Sequence, residues 1–309
     1  MKKSHIAWAL LFVLSLSLTA CSSDKEKKTL RIGAMSDVDS VPFIVADKNG
    51  YFEKEGIDVE IKRYDSARER DAALKSGAID GAVSDIPAAI MAKDGGADIK
   101  ITSKTGGRYK LVANKDMGIG GVAGLKGKDI ALSKNTMGEY VADGILEKAG
   151  LKASDVNKVY VSDISAGLKA LSSGKAEAAI LPEPMAAEAV KGGAVFLAGS
   201  DTLGIDPGVV IFTENLVKSD HDAIKSVYKA YDKAVEYLNN QPVVAYMDII
   251  IKDSGAPEDI RDAMQPPSYT KAEAPSKKDV DVMMDWLADS KLVEKSFSYK
   301  DLVDDEFVK

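Results

Sequence analysis

The chain is poor in the side chains that most enzyme chemistry uses. It has one cysteine in 309 residues, so no internal disulfide can form and stability must come from packing. It has two histidines, His5 and His221. His5 falls in an apolar leader and His221 at an expected helix start, so no Ser-His-Asp triad or metal cluster can be assembled. The stretch Gly118-Ile119-Gly120-Gly121 partly echoes a dinucleotide fingerprint but opens no immediate helix. Gly127-Lys128 is followed by Asp129, where a phosphate-binding loop needs Ser or Thr. An enzyme is therefore not expected, and no cofactor or metal is implied. Basic charge is also short, with 41 Lys and Arg against 48 Asp and Glu and a net charge of −7. An acidic chain without a basic stripe argues against nucleic acid as a partner. No apolar run reaches the ~20 residues that a membrane span needs.

What is present begins with the leader. Lys2 and Lys3 precede an apolar run from Ile6 to Leu18, and Leu18-Thr19-Ala20-Cys21 follows. This order of charged, apolar and small-residue regions is that of an export signal. A hydrophobic residue three before a lone cysteine resembles the lipobox of bacterial lipoproteins. The resemblance implies a signal peptide over residues 1–20, lipidation at Cys21 and a chain held at the extracytoplasmic face of the cell membrane. A plain secretory signal with a chance cysteine is the simpler alternative. Residues 21–28, polar and lysine-rich, read as a flexible tether. Removing residues 1–20 leaves 289 residues and a net charge of −9, since two lysines leave with them. That length suits two domains.

The chain repeats itself once. Ser76-Gly77-Ala78-Ile79-Asp80-Gly81-Ala82-Val83 aligns with Ser173-Gly174-Lys175-Ala176-Glu177-Ala178-Ala179-Ile180 at an offset of 97 residues. Each unit reads as strand, helix, glycine stop, short buried strand, proline and helix. Strands alternating with helices imply parallel βαβ units, and two such units imply two α/β lobes of one design. Strands are expected at 30–35, 57–61, 99–103, 109–113 and 129–132. Helices are expected at 42–49, 67–75, 136–149, 222–238, 242–252, 257–264 and 276–288. Tyr228, Tyr231, Val235 and Leu238 recur at helical spacing and are expected in the core.

Leu30-Arg31-Ile32-Gly33-Ala34-Met35, Val41-Pro42-Phe43-Ile44-Val45-Ala46 and Lys48-Asn49-Gly50-Tyr51-Phe52-Glu53-Lys54-Glu55-Gly56-Ile57 follow in order. With Gly77 to Ala82, Leu125 to Ala131 and Pro182-Glu183-Pro184, they resemble the solute-binding proteins of ABC importers for nitrate, sulfonates, taurine and the thiamine pyrimidine precursor. The resemblance covers nearly all of the chain after the tether. It implies an α/β, type II periplasmic-binding-protein-like fold whose two lobes close over a small molecule and deliver it to a permease and its ATPase, with the chain acting as a monomer. Two interlobe crossings are placed near 108–114 and 205–209, giving a first lobe of 29–112 plus 208–309 and a second of 113–207. An exported ligand sensor remains an alternative. The related pyrimidine-synthesising enzymes use a cysteine-rich iron motif and a histidine that this chain lacks.

Ligands of open α/β sheets sit beyond the carboxyl ends of parallel strands, where helix N-termini offer free N–H groups. The corresponding loops supply Ser36, Asp37, Asp39, Asp65, Ser66, Ser84 and Asp85 from the first lobe. Asn135, Thr136, Asp163 and Glu183 come from the second. Each also has an ordinary role as a helix cap, and Glu183, between two prolines, is the strongest candidate for ligand contact. The loops are acidic, with only Arg108 and Lys134 as nearby cations, which favours an amine-bearing or thiamine-pyrimidine-like ligand. A small oxyanion such as nitrate, a sulfonate or taurine is the alternative. The leader yields one prediction. Cys21→Ser moves the protein from the membrane to the soluble fraction, because the tether holds no other apolar anchor; a membrane-bound mutant on fractionation removes the lipid assignment.

Overall fold

The computed structural model describes residues 29–254, 256–264 and 267–309; the expected signal, Cys21 and the tether lie outside them. The strands are β1 Leu30–Met35, β2 Val59–Tyr64, β3 Gly81–Asp85, β4 Ile99–Lys104, β5 Tyr109–Asn114, β6 Asp129–Leu132, β7 Asn157–Tyr160, β8 Ala178–Pro182, β9 Ala194–Gly199 and β10 Gly208–Thr213. The α-helices are α1 Val41–Lys48, α2 Tyr51–Lys54, α3 Ala67–Lys75, α4 Ile86–Asp94, α5 Met137–Lys148, α6 Ile164–Ser172, α7 Met185–Lys191, α8 Glu214–Ser219, α9 His221–Asn240, α10 Val244–Ser254, α11 Lys277–Asp289 and α12 Tyr299–Leu302. Residues 257–264, expected as a helix, hold only the 3-10 turn Glu258–Asp262.

The strands form two sheets of one design, ordered β2-β1-β3-β10-β4 and β7-β6-β8-β5-β9. The repeat seen in the sequence is this architecture. β1, β2, β3 and β4 begin at 30, 59, 81 and 99, and their counterparts β6, β7, β8 and β9 begin at 129, 157, 178 and 194. The sheets are mixed, although the βαβ pattern implied parallel ones. A single strand in each, β10 in the first and β5 in the second, runs against both neighbours. Each of these strands directly follows a passage between the sheets, so the chain enters each sheet from the far side.

The first passage corrects the expected boundary. β5 pairs with β8 and β9, so residues 109–112 belong to the second sheet and the chain crosses at 105–108. The return crossing runs through residues 200–207, between β9 and β10. The two crossings lie side by side. The Thr105 N–H donates to the Gly208 carbonyl at 2.7 Å, and the Ser200 hydroxyl accepts from the Tyr109 N–H at 3.0 Å.

Apolar spacing on α9 buries Tyr228, Tyr231, Val235 and Leu238 at 3% exposure or less, as the helical period requires. Tyr231 meets Phe43 of α1 at a ring separation of 5.0 Å. Phe43 and Phe212 are fully buried, each contributing about 1.5–3 kcal/mol. On the opposite face one apolar cluster runs through both sheets, joining Ile86 and Ile90 of α4 to Leu111, Met137 and Val141. α11 adds Met283 and Leu287 to it and sets Trp286 edge-on to Tyr140 of α5 at 5.3 Å.

Gly107 has φ +64°, and a Cβ there would stand 2.5 Å from the Gly208 backbone nitrogen. Both the left-handed backbone and the close approach require glycine. Gly107→Ala therefore costs about 2–4 kcal/mol of stability, measured by urea unfolding; a loss under about 0.5 kcal/mol means that the crossings relax freely.

Candidate functional site

A cavity of about 280 Å³ lies between the two sheets, beyond the carboxyl ends of β1, β2, β3, β6 and β7. Asp37, Asp39, Ser66, Ser84 and Asp85 reach it from the first sheet, and Thr136 and Asp163 from the second. These seven are sequence candidates that the fold brings together. Met35, Val83, Leu132, Met137 and Ile180 give it apolar walls, and Tyr109 closes it at the crossing.

The other four candidates do not line the cavity. The Ser36 hydroxyl donates to the Asp253 carbonyl at 3.4 Å. Asp65 is exposed. Asn135 sits in the turn before α5 with φ +57°. Glu183, the strongest candidate by sequence, is 3% exposed and turned into the protein. Lys110 pairs across the strands with Leu181, which places it diagonally opposite Glu183. One Glu183 oxygen meets the Lys110 ammonium, and the other accepts from the Ala187 N–H at 2.9 Å. Glu183 thus joins β5 to α7 instead of facing a ligand.

Each cavity acid is already engaged, and Asp163 through both oxygens, since its Oδ2 also accepts from the Ser162 hydroxyl at 2.7 Å. The Ser40 N–H and hydroxyl donate to Asp37 Oδ1 at 3.1 and 3.0 Å. The Ala88 N–H donates to Asp85 Oδ1 at 2.8 Å and the Ala166 N–H to Asp163 Oδ1 at 2.7 Å. Asp39 reaches further, accepting from the Gly107 N–H of the first crossing at 2.8 Å. Capping and ligand contact are therefore compatible for Asp37 and Asp85, whose caps use one oxygen each and leave the other to offer. Ser84 is 6% exposed, and its hydroxyl has no hydrogen-bond partner in the structure.

Of the two expected cations, Lys134 lines this cavity and Arg108 does not. Arg108 stands outside this cavity, beside a smaller one behind the crossing. Arg68 and Arg70 line it with Lys134. Arg70 is 3% exposed and donates to the Val83 carbonyl at 3.0 Å and to Asp71 at 2.8 and 2.9 Å. The segment Arg68-Glu69-Arg70-Asp71 reads as a solvated helix face, and only the packing of α3 on β3 turns Arg70 inward.

Burial raises the Asp85 carboxyl to about 6, against the opposing pull of Arg70. Burial, with repulsion from Asp37, raises Asp39 to about 7, and burial also raises Asp37. The second-sheet side differs. Of the four helices α3, α4, α5 and α6, whose first turns edge the cavity, α5 alone has no side-chain cap. The Thr136 hydroxyl donates instead to the Ser133 carbonyl at 2.8 Å. The α5 N-terminus, with its partial positive charge, thus opens beside Lys134.

Residues 37–245 match the family described as NMT1/THI5 like. The chain belongs to the NMT1/THI5-like family. A Bacillus subtilis protein named as a candidate aliphatic sulfonates-binding protein is 27% identical to it, over 100% of this chain and 96% of that protein. Among solved structures, the alkanesulfonate-binding protein SsuA of Xanthomonas axonopodis pv. citri, bound to MOPS, superposes with a TM-score of 0.77 at 18% identity. That match covers 89% of this chain and 97% of the other. The periplasmic nitrate-binding protein NrtA of Synechocystis PCC 6803 superposes with a TM-score of 0.65 at 18% identity, over 82% and 75% of the two chains. These likenesses establish the two-lobed periplasmic-binding-protein fold.

Carboxyls held above their unfolded values near 4 bind protons more tightly when folded, so stability is full at low pH and falls as pH rises through the folded values. The melting midpoint of the ligand-free protein falls between pH 5 and 7.5, and Asp39→Asn combined with Asp85→Asn flattens that slope. A wild-type slope unchanged in the double variant removes these two acids as its source.

Proposed function

We propose that this solute-binding protein of the ABC-import class captures a small solute that carries an amine at one end and an anionic group, such as a sulfonate, at the other. The two-sided polarity of the cavity carries the reading. Asp37, Asp39 and Asp85, with the free hydroxyl of Ser84, form an acceptor-rich wall on the first sheet. The uncapped first turn of α5 and Lys134 put donors on the second, beside Asp163, whose two oxygens are taken by its own helix and by Ser162. A solute that touches both walls binds the closed arrangement of the lobes better than the open one, and so shifts the population toward closure. The closed form is then the one presented to the permease and its ATPase, from a chain lipidated at Cys21 on the extracytoplasmic face and acting as a monomer. Binding and release need no chemistry, so the chain is not an enzyme.

A second reading, a plain alkanesulfonate or other small oxyanion, is favoured by the names of its relatives, SsuA among them. Calorimetry separates the two. Taurine, ethanesulfonate and the aminopyrimidine precursor of thiamine are titrated at pH 5.5 and pH 8. A charge-assisted bond to an amine contributes roughly 1.5–3 kcal/mol, so taurine gains about tenfold to a hundredfold as Asp39 and Asp85 ionise. Ethanesulfonate weakens over the same range, because the added negative charge repels it. Taurine binding that is flat with pH and no tighter than ethanesulfonate leaves the plain oxyanion as the ligand. Tight binding of the aminopyrimidine alone makes the acceptor wall sufficient and removes the anionic end.

A further inference from the structure

Residues 133–138 carry these donors, and the chain does not hold their shape by itself. Asn135 adopts φ +57°, a left-handed conformation that asparagine tolerates better than most side chains but less readily than glycine. Thr136 cannot cap α5, since its hydroxyl is turned back to Ser133. The turn is instead gripped from within the helix. Glu139, in the first turn of α5 and 7% exposed, accepts from the Asn135 N–H through Oε2 at 2.7 Å. Its other oxygen, Oε1, accepts from the Lys158 ammonium at 2.8 Å and from the Tyr160 hydroxyl at 2.9 Å. Lys158 is shared with Asp143, one helical turn further on, at 2.7 Å. Burial alone would favour the neutral acid, but the bonds from Lys158, the Asn135 N–H and Tyr160 outweigh it and hold Glu139 below its ordinary value. The same tyrosine carries the network outward, because the Lys134 ammonium lies 5.3 Å above its ring.

We infer that Glu139 is a positioning residue for the ligand cavity: with Lys158 and Tyr160 it locks the left-handed Asn135 turn, and so sets where the α5 first turn and the Lys134 ammonium meet the anionic end of a ligand. No Glu139 atom lines the cavity; it acts through Asn135 and Tyr160. The geometry has a single weak point. The turn must be held because residue 135 is not glycine, and a glycine there would adopt the same φ at little cost.

The anionic-ligand part of this inference rests on the proposed function, so the experiment has an arm that needs no ligand. Amide hydrogen exchange is measured on the ligand-free protein and on Glu139→Gln. The amides of residues 135–138 exchange at least tenfold faster in the variant, while those of β6 do not. In calorimetry with taurine and ethanesulfonate as probes, Glu139→Gln binds both about tenfold more weakly. Adding Asn135→Gly to Glu139→Gln restores most of the lost affinity, an outcome that a general loss of stability would not produce. If Glu139→Gln does not fold, Tyr160→Phe, a change at a half-exposed side chain, loosens the same amides in the same direction. Unchanged exchange at 135–138, or faster exchange with unchanged probe affinity, or a double variant that stays weak, overturns the inference. If neither probe binds the wild type, the sulfonate reading fails, and the exchange arm alone decides the role of Glu139.

Discussion

Two backbones pass each other almost in contact where the chain crosses between its sheets, and the rest of the molecule is arranged around that passage. Gly107 on the outward crossing and Gly208 at the end of the return are close enough that neither has room for a side chain. Because the crossings share one line, the sheets are hung from the same edge and their ligand-facing ends must meet there. The cavity follows from this. It lies where the carboxyl ends of both sets of parallel strands converge, with Gly107, Tyr109 and Gly208 as part of its wall. Asp39 ties the first sheet to that line by accepting the Gly107 N–H. One carboxylate thus borders the cavity and holds the crossing at once.

The same economy shows in the other cavity acids. Asp37, Asp85 and Asp163 each stand just before a helical turn, Asp85 as the last residue of β3, because a short acceptor there satisfies an otherwise orphaned N–H. The topology then places those three turns around one space. Local folding alone would select aspartate at these positions, and the cavity inherits its acidic wall from that selection. Arg70 tempers it from behind, buried against the Val83 carbonyl, and its charge opposes the rise of Asp37 and Asp85.

Much of this was legible in the chain. The 97-residue offset stated the duplication of the sheets, and the loop positions after the strands supplied seven of the residues around the cavity. The failures share a cause. Glu183 was misplaced because its environment is set by β5, whose entry into the second sheet from the far side leaves no local mark. Arg70 was not among the expected cations, because nothing local sets it apart from the other charges of α3. Asn135 and Glu139 are four apart in sequence, yet the left-handed turn that joins them is invisible until the backbone is seen. Pattern and spacing record periodicity, whereas Arg70 and Glu183 answer to partners 13 and 73 positions away.

The place of β10 bears on how the molecule is made. This strand lies between β3 and β4, which pair with it and not with each other, yet it is separated from them in the chain by the whole second sheet. A growing chain therefore has everything needed for the second sheet while the first still has a slot with two unpaired edges. Such edges are templates for wrong pairing. The first half of the protein must wait, unclosed, for a strand synthesised more than a hundred residues after β4, and its protection over that interval has to come from outside the fold.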